Sequence, residues 1–139
     1  MSAYTEAQRR ANYNVHVIPH REQRYPTVGD YWWDEAAECW QISISQMPDP
    51  RWERLILIHE LVELSMCVES GVSESDIDRF DFEFEAEIKA GTRDPLSEPG
   101  DDPRAPYYKE HQAATQVERA HAEMLGVNWE EYDGCIRRM

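Results

Sequence analysis

The chain has 139 residues, a length typical of one domain, and carries 28 acidic against 14 basic side chains. Its formal net charge is −14, and no stretch concentrates lysine and arginine, which argues against nucleic acid or an anionic membrane as partner. The three cysteines show no CxxC spacing and predict free thiols, not a disulfide framework or a thiolate zinc site.

No apolar run is long enough to span a membrane, since the longest aliphatic stretch covers residues 55–58. Residues 1–15 also lack the apolar core of a secretory signal. We therefore expect a cytoplasmic protein with no membrane partner. We expect one domain over residues 1–139, with residues 1–12 flexible.

The first half of the chain predicts β structure. Residues 14–18, 31–33 and 39–45 are rich in β-branched and aromatic side chains, which favour strands. Trp40, Ile42 and Ile44 alternate with polar residues. This alternation is typical of a strand with one buried face.

The second half predicts helices. The first begins after Asp49, a capping residue that Pro50 follows, and continues to Gly71. A second begins near Ser73 and ends at Gly91, because serine favours helix starts and glycine favours helix ends.

The third predicted helix covers residues 107–125. Before it, residues 92–106 hold four prolines and one glycine, so we expect a long irregular loop there. The fold class is therefore α+β: a small antiparallel sheet of about three strands followed by three helices.

The first predicted helix contains the run His59-Glu60-Leu61-Val62-Glu63. Because successive helical residues are about 100° apart, His59 and Glu63 are about 40° apart around the axis and can bind one ion. Glu60 is adjacent to this pair on the same helix.

This segment resembles the active helix of the zincin metallopeptidases, which carries the motif HExxH. The apolar run before it, with arginines at 51 and 54, resembles small cytoplasmic repressor-cleaving and anti-repressor peptidases of phages and other mobile elements. The resemblance implies a minimal zincin-like fold, a divalent metal ion, a peptide or protein substrate, and Glu60 as the base that activates water.

Glu63 departs from the zincin motif, which has histidine at this position. Zinc is the expected ion, and the added carboxylate also suits manganese or iron. We predict His111 as the third ligand, with Glu118 as a fourth ligand or as an outer partner that orients a ligand.

The second helix offers alternative ligands in Asp81, Glu83 and Glu85. Glu83 stands near the position at which the third ligand follows the motif in the gluzincin branch. Spacing permits a carboxylate of this helix or His111 as third ligand, so both alternatives stay open.

Other interpretations of the function also stay open. A catalytically inactive descendant would keep the helix and bind a partner, whereas a protein without metal would use His59 and Glu63 in a buried network that fixes helix packing. Glu118 and His121 suggest a carboxylate-rich metal enzyme of another reaction class. Residues 98–102 are a candidate cap or cation site, with a solvated turn as the alternative. An acidic rim would favour basic or neutral substrates.

Overall fold

Residues 3–139 are described by a computed structural model, in which a three-stranded sheet packs against helices. The strands are β1 (Asn12–Ile18), β2 (Gly29–Asp34) and β3 (Cys39–Ser45). The helices are α1 (Glu6–Arg9), α2 (Pro50–Ser70), α3 (Glu74–Lys89), α4 (Tyr108–Met124) and α5 (Trp129–Arg137), with short 3-10 turns at His20–Glu22 and Pro99–Asp101. The predicted α+β class is confirmed, and α1 and α5 add to the three predicted helices.

The sheet has the order β1-β3-β2 and is mixed. β2 pairs with β3 antiparallel, as predicted, but β1 pairs with β3 parallel, which corrects the expectation of an antiparallel sheet. The loop after β1 carries the chain to the far edge, and β3 then returns between the two earlier strands. Side chains alternate between the two faces of a strand in the same way in parallel and antiparallel pairs. The alternation therefore does not predict the direction in which β1 pairs with β3.

The core lies between the sheet and α2. Trp40, Ile42 and Ile44 share the core face of β3 and are at most 1% exposed, which confirms the predicted alternation. The opposite face is also covered, since Ser45 is fully buried and its hydroxyl contacts His20 Nδ1 at 2.9 Å. The loop between β1 and β2 therefore covers a face that the pattern predicts as polar.

Helix α2 lies between the sheet and α4. Its start is capped by Asp49, whose carboxylate accepts a hydrogen bond from Arg51 N at 2.9 Å, and Pro50 occupies the first helical position. Its end is capped by Gly71 in the left-handed conformation, at φ 77°. Both predicted boundaries hold.

The chain ends pack on this core. Residues 1 and 2, part of the segment predicted to be flexible, lie outside the described residues. Tyr4 is buried and packs against Trp40 in a tilted arrangement, with ring centroids 5.8 Å apart. In α5, Tyr132 is fully buried. Across residues 3–139, every helix is too short or too polar to cross a bilayer.

Candidate metal centre

Helices α2 and α4 bring together His59, Glu63 and His111. His59 Nε2 lies 3.1 Å from Glu63 Oε2 and 3.1 Å from His111 Nδ1. The same Glu63 oxygen lies 2.9 Å from His111 Nδ1. The three atoms form a nearly equilateral triangle, with the His59 and Glu63 side chains buried and His111 half-buried.

Each histidine has a carboxylate behind it. Glu118 Oε1 lies 2.8 Å from His59 Nδ1, and Asp101 Oδ1 lies 3.3 Å from His111 Nε2. A carboxylate on one ring nitrogen fixes the tautomer and leaves the other nitrogen for an ion. In both rings, the nitrogen that does not face Glu118 or Asp101 is the one that forms part of the triangle.

Two tyrosines donate hydrogen bonds to carboxylates of the centre, one to Glu63 and one to Glu118. The Tyr31 hydroxyl donates to Glu63 Oε1 at 2.9 Å, so the other oxygen of Glu63 faces the histidines. The Tyr132 hydroxyl donates to Glu118 Oε2. Glu118 thus orients His59 from behind and is not one of the three atoms of the triangle.

The triangle has the dimensions that a transition metal requires. Ligand atoms about 2.0–2.1 Å from a tetrahedral zinc ion are separated by about 3.3–3.4 Å. The observed separations of 2.9–3.1 Å need to widen by only a few tenths of an ångström. Two nitrogens and one carboxylate oxygen also form a donor set known for catalytic zinc.

The charges in the cluster depend on one another. Burial raises the pKa of Glu63, but hydrogen bonds from His111 and His59 outweigh it and bring the pKa down to about 2. Burial lowers the pKa of His111, but Asp101 and Glu63 outweigh it and raise the pKa to about 9. The pKa of His59 lies well above its usual range, since Glu118 and Glu63 overcome its burial. The carboxylates around the two rings therefore stabilise a positive charge at this position.

Glu60 lies on the α2 turn that carries His59 and lines the adjoining cavity. Among residues 3–139, no hydrogen-bond donor or cation pairs with its carboxylate. Burial, together with the negative charge of Glu63, holds the pKa of Glu60 well above its usual range. Its carboxylate is thus free to exchange a proton with a bound molecule.

Two glycines make room for the site. A Cβ atom at Gly29, in β2, would lie 2.6 Å from Glu60 Oε1, and a Cβ atom at Gly100 would overlap the His111 ring. Both backbones approach a functional side chain more closely than any other residue type allows.

A cavity of about 600 Å³ adjoins the centre and is lined by all three ligand candidates and Glu60. Its wall includes parts of α3, α4, α5 and the loop before α4. This volume lies within the range of small-molecule sites. The cavity is therefore large enough for a ligand of small-molecule size.

The other predicted ligands lie apart from the triangle. Glu83 is exposed on α3, and Glu85 is half-buried in the cavity wall. Asp81 is buried, but its carboxylate accepts hydrogen bonds from Tyr25 at 2.9 Å and from Tyr107. Of the two sources left open for the third ligand, α4 is the one that reaches His59 and Glu63.

Sequence analysis missed several residues that shape the site. Tyr31 is predicted only as part of a strand, although it positions Glu63. Asp101 belongs to the segment predicted as a cap, a cation site or a solvated turn, and its contact with His111 is not predicted. Tyr132 and the two glycines carry no local signal, because their role depends on which elements pack together.

The buried carboxyl group of Asp81 makes the stability of the fold depend on pH. Burial raises its pKa from 3.8 to about 7, although Tyr107 and Tyr25 donate to it. Because the folded state holds this proton more tightly than the unfolded chain, stability from Asp81 is full below pH 4 and is lost as the pH rises through 7. We expect Asp81→Asn to flatten this decline by about 2–4 kcal/mol between pH 4.5 and 7.5.

Urea unfolding at both pH values measures the effect. Glu123→Gln, at an exposed position of α4, removes one carboxylate without touching a buried group and serves as control. Parallel pH profiles of the wild type and Asp81→Asn would contradict the prediction.

No family model matches the chain, and neither does any curated protein or solved structure with which it was compared.

Proposed function

We propose that this protein binds one divalent transition-metal ion, zinc foremost, through His59, Glu63 and His111, and hydrolyses a peptide or amide bond. The observation that carries the proposal is the triangle of ligand atoms, in which each histidine is backed by a carboxylate on its other nitrogen. The arrangement leaves one nitrogen of each ring directed at a shared point, as an ion bound by both rings requires.

The chemistry follows from the residues around the triangle. An ion held there would polarise a carbonyl group and acidify water. Glu60 has a free carboxylate at the cavity wall and would take a proton from water and return it to the leaving amine. Glu118 and Asp101 keep the two imidazoles in place during this transfer.

A hydrogen-bonded network without metal is the second candidate. It is favoured by one observation: the three atoms of the triangle lie at 2.9–3.1 Å from one another, within hydrogen-bonding distance. In that case the same residues would fix the packing of α2 on α4, and the protein would act by binding a partner.

We further propose a cytoplasmic location. Cys39, Cys67 and Cys135 are free thiols in the structure, and reducing compartments keep thiols in this state. Peptide or protein is the proposed partner, with neither nucleic acid nor membrane involved, since the chain carries a net charge of −14.

Metal content tests the proposal. The full chain, purified without a tag, is incubated with zinc or manganese, desalted and analysed by inductively coupled plasma mass spectrometry. We expect about one ion per wild-type chain, and less than about a tenth of that in His59→Ala and in His111→Ala, because each removes one of three ligands.

His16→Ala is the matched control, since His16 is exposed on β1 and bonds only to Gln41, at 3.0 Å. Circular dichroism establishes that the variants are folded. A wild-type protein that holds no ion after both incubations would overturn the metal site and leave the hydrogen-bonded network.

A further inference from the structure

The cavity beside the cluster has a strongly unequal charge distribution. Besides the ligand candidates and Glu60, its wall carries carboxylates from β2, α3, α5 and the loop before α4. Its only lining arginines within residues 3–139 are Arg119 and Arg137. A concave wall that carries mostly one sign of charge raises the local concentration of ions of the opposite sign, here cations.

Both arginines are already engaged. Arg137 donates to Asp133 at 3.0 Å, to Asp101 at 3.2 Å and to the Leu96 carbonyl at 3.1 Å. Arg119 lies over the Trp129 ring at 4.9 Å. The carboxylates of the cavity wall therefore outnumber its arginines, and Arg137 is already neutralised by the protein itself.

Several carboxylates of the wall are satisfied by the protein itself. Asp30 pairs with Arg24 at 2.6 Å, and Asp81 accepts from two tyrosines. Glu74 accepts a hydrogen bond from Trp33 N at 2.8 Å. These groups have structural partners and need no ligand.

Glu85 and Glu98 differ from them. Both are half-buried in the cavity wall, and within residues 3–139 neither carboxylate has a hydrogen-bond donor or an ion-pair partner within 4 Å. The positive charges nearest to Glu98 are those of Arg137 and His111, which already contact other carboxylates. Glu98 also offers an oxygen within 4.8 Å of ligand atoms of Asp101 and His111. A half-buried carboxylate without a partner is costly unless something else neutralises it.

We infer that the cavity binds a positively charged group of the substrate, with Glu98 as its main partner and Glu85 as a second carboxylate. The inference rests on the proposed function, because it treats the adjoining cluster as the place of reaction. Glu98 lies next to His111, so the recognised ammonium or guanidinium group would be close to the bond that is cleaved. A lysine or arginine side chain and a free amino terminus share this chemistry.

Binding of matched peptides tests the inference without a turnover assay. The probes are the acetylated amides of Ala-Lys-Ala and Ala-norleucine-Ala, together with Ala-Ala-Ala amide bearing a free amino terminus. Dissociation constants are measured by isothermal titration calorimetry with the full chain, and the ion content of each sample is measured separately.

We expect a charged probe to bind the wild type about tenfold more tightly than the norleucine probe, and this preference to fall to less than about threefold in Glu98→Gln. Glu83→Gln is the matched control, because Glu83 is exposed on the helix that carries Glu85. If the lysine probe binds more tightly than the norleucine probe, the recognised cation is a side chain. If the probe with the free amino terminus binds more tightly, the recognised cation is the amino terminus.

Three outcomes would overturn the inference: equal binding of charged and norleucine probes, no binding of either charged probe, or a preference that Glu98→Gln leaves intact. Two ions per wild-type chain, one of them lost in Glu98→Gln, would instead assign Glu98 to a second metal. The ion count reports on the proposed function separately, so a metal-loaded protein without cation preference refutes only this inference.

Discussion

Glu60→Gln is expected to reduce kcat/KM for peptide hydrolysis by about 10²–10⁴-fold, the usual contribution of a general base. Glutamine keeps the shape of the side chain but cannot accept the proton. Because Glu60 is outside the triangle of ligand atoms, the variant should still bind about one ion per chain. The rate is measured on a mixture of unstructured peptides by mass spectrometry of newly formed amino termini.

Glu69→Gln is the matched control for this experiment. Glu69 is exposed on the same helix, and among residues 3–139 its carboxylate pairs with Arg9 alone, at 3.3 Å, so its loss should leave the rate unchanged. An unchanged rate in Glu60→Gln would remove Glu60 from the mechanism. A metal-loaded wild type that cleaves no peptide would favour the inactive binding protein.

Gly100→Ala is expected to weaken metal binding by about 10–100-fold, although residue 100 provides no ligand. The added methyl group would overlap the imidazole of His111, so either the ring or the loop must move. Movement of the ring takes Nδ1 away from His59 and Glu63. Movement of the loop takes Asp101 away from the other nitrogen of the ring. Either shift misplaces one of three ligands.

Competition with a fluorescent zinc chelator measures this affinity. Gly134→Ala is the control, since a Cβ atom at Gly134 would meet only the end of the Arg138 side chain, at 3.1 Å. An affinity of Gly100→Ala equal to that of the wild type would show that the loop does not constrain His111.

The part of the site that could be predicted from the sequence depends on helix caps and on helical periodicity. The cap at Asp49 and the stop at Gly71 define α2, and the helical period then places His59 and Glu63 on one side of it. The same helical period places His111 and Glu118, seven residues apart, on one face of α4. These residues depend on helix geometry alone, which the sequence specifies directly.

The remaining features depend on how distant segments meet. The parallel pairing of β1 with β3 follows from a loop that passes the position of β3, and no residue within either strand signals it. Tyr132 reaches Glu118 only because α5 folds back on α4. The choice of His111 over Asp81 likewise depends on α4, not α3, packing against α2.

The centre joins His59 and His111, which are 52 residues apart in the chain. A nascent polypeptide that has not yet added α4 carries two ligand candidates and lacks the third, together with Glu118, the carboxylate that orients His59. Any ion bound at the complete site would act as a cross-link between α2 and α4 and resist their separation. Loading would thus come after the last helices have docked, and the loaded protein would unfold more slowly than the same chain treated with a chelator.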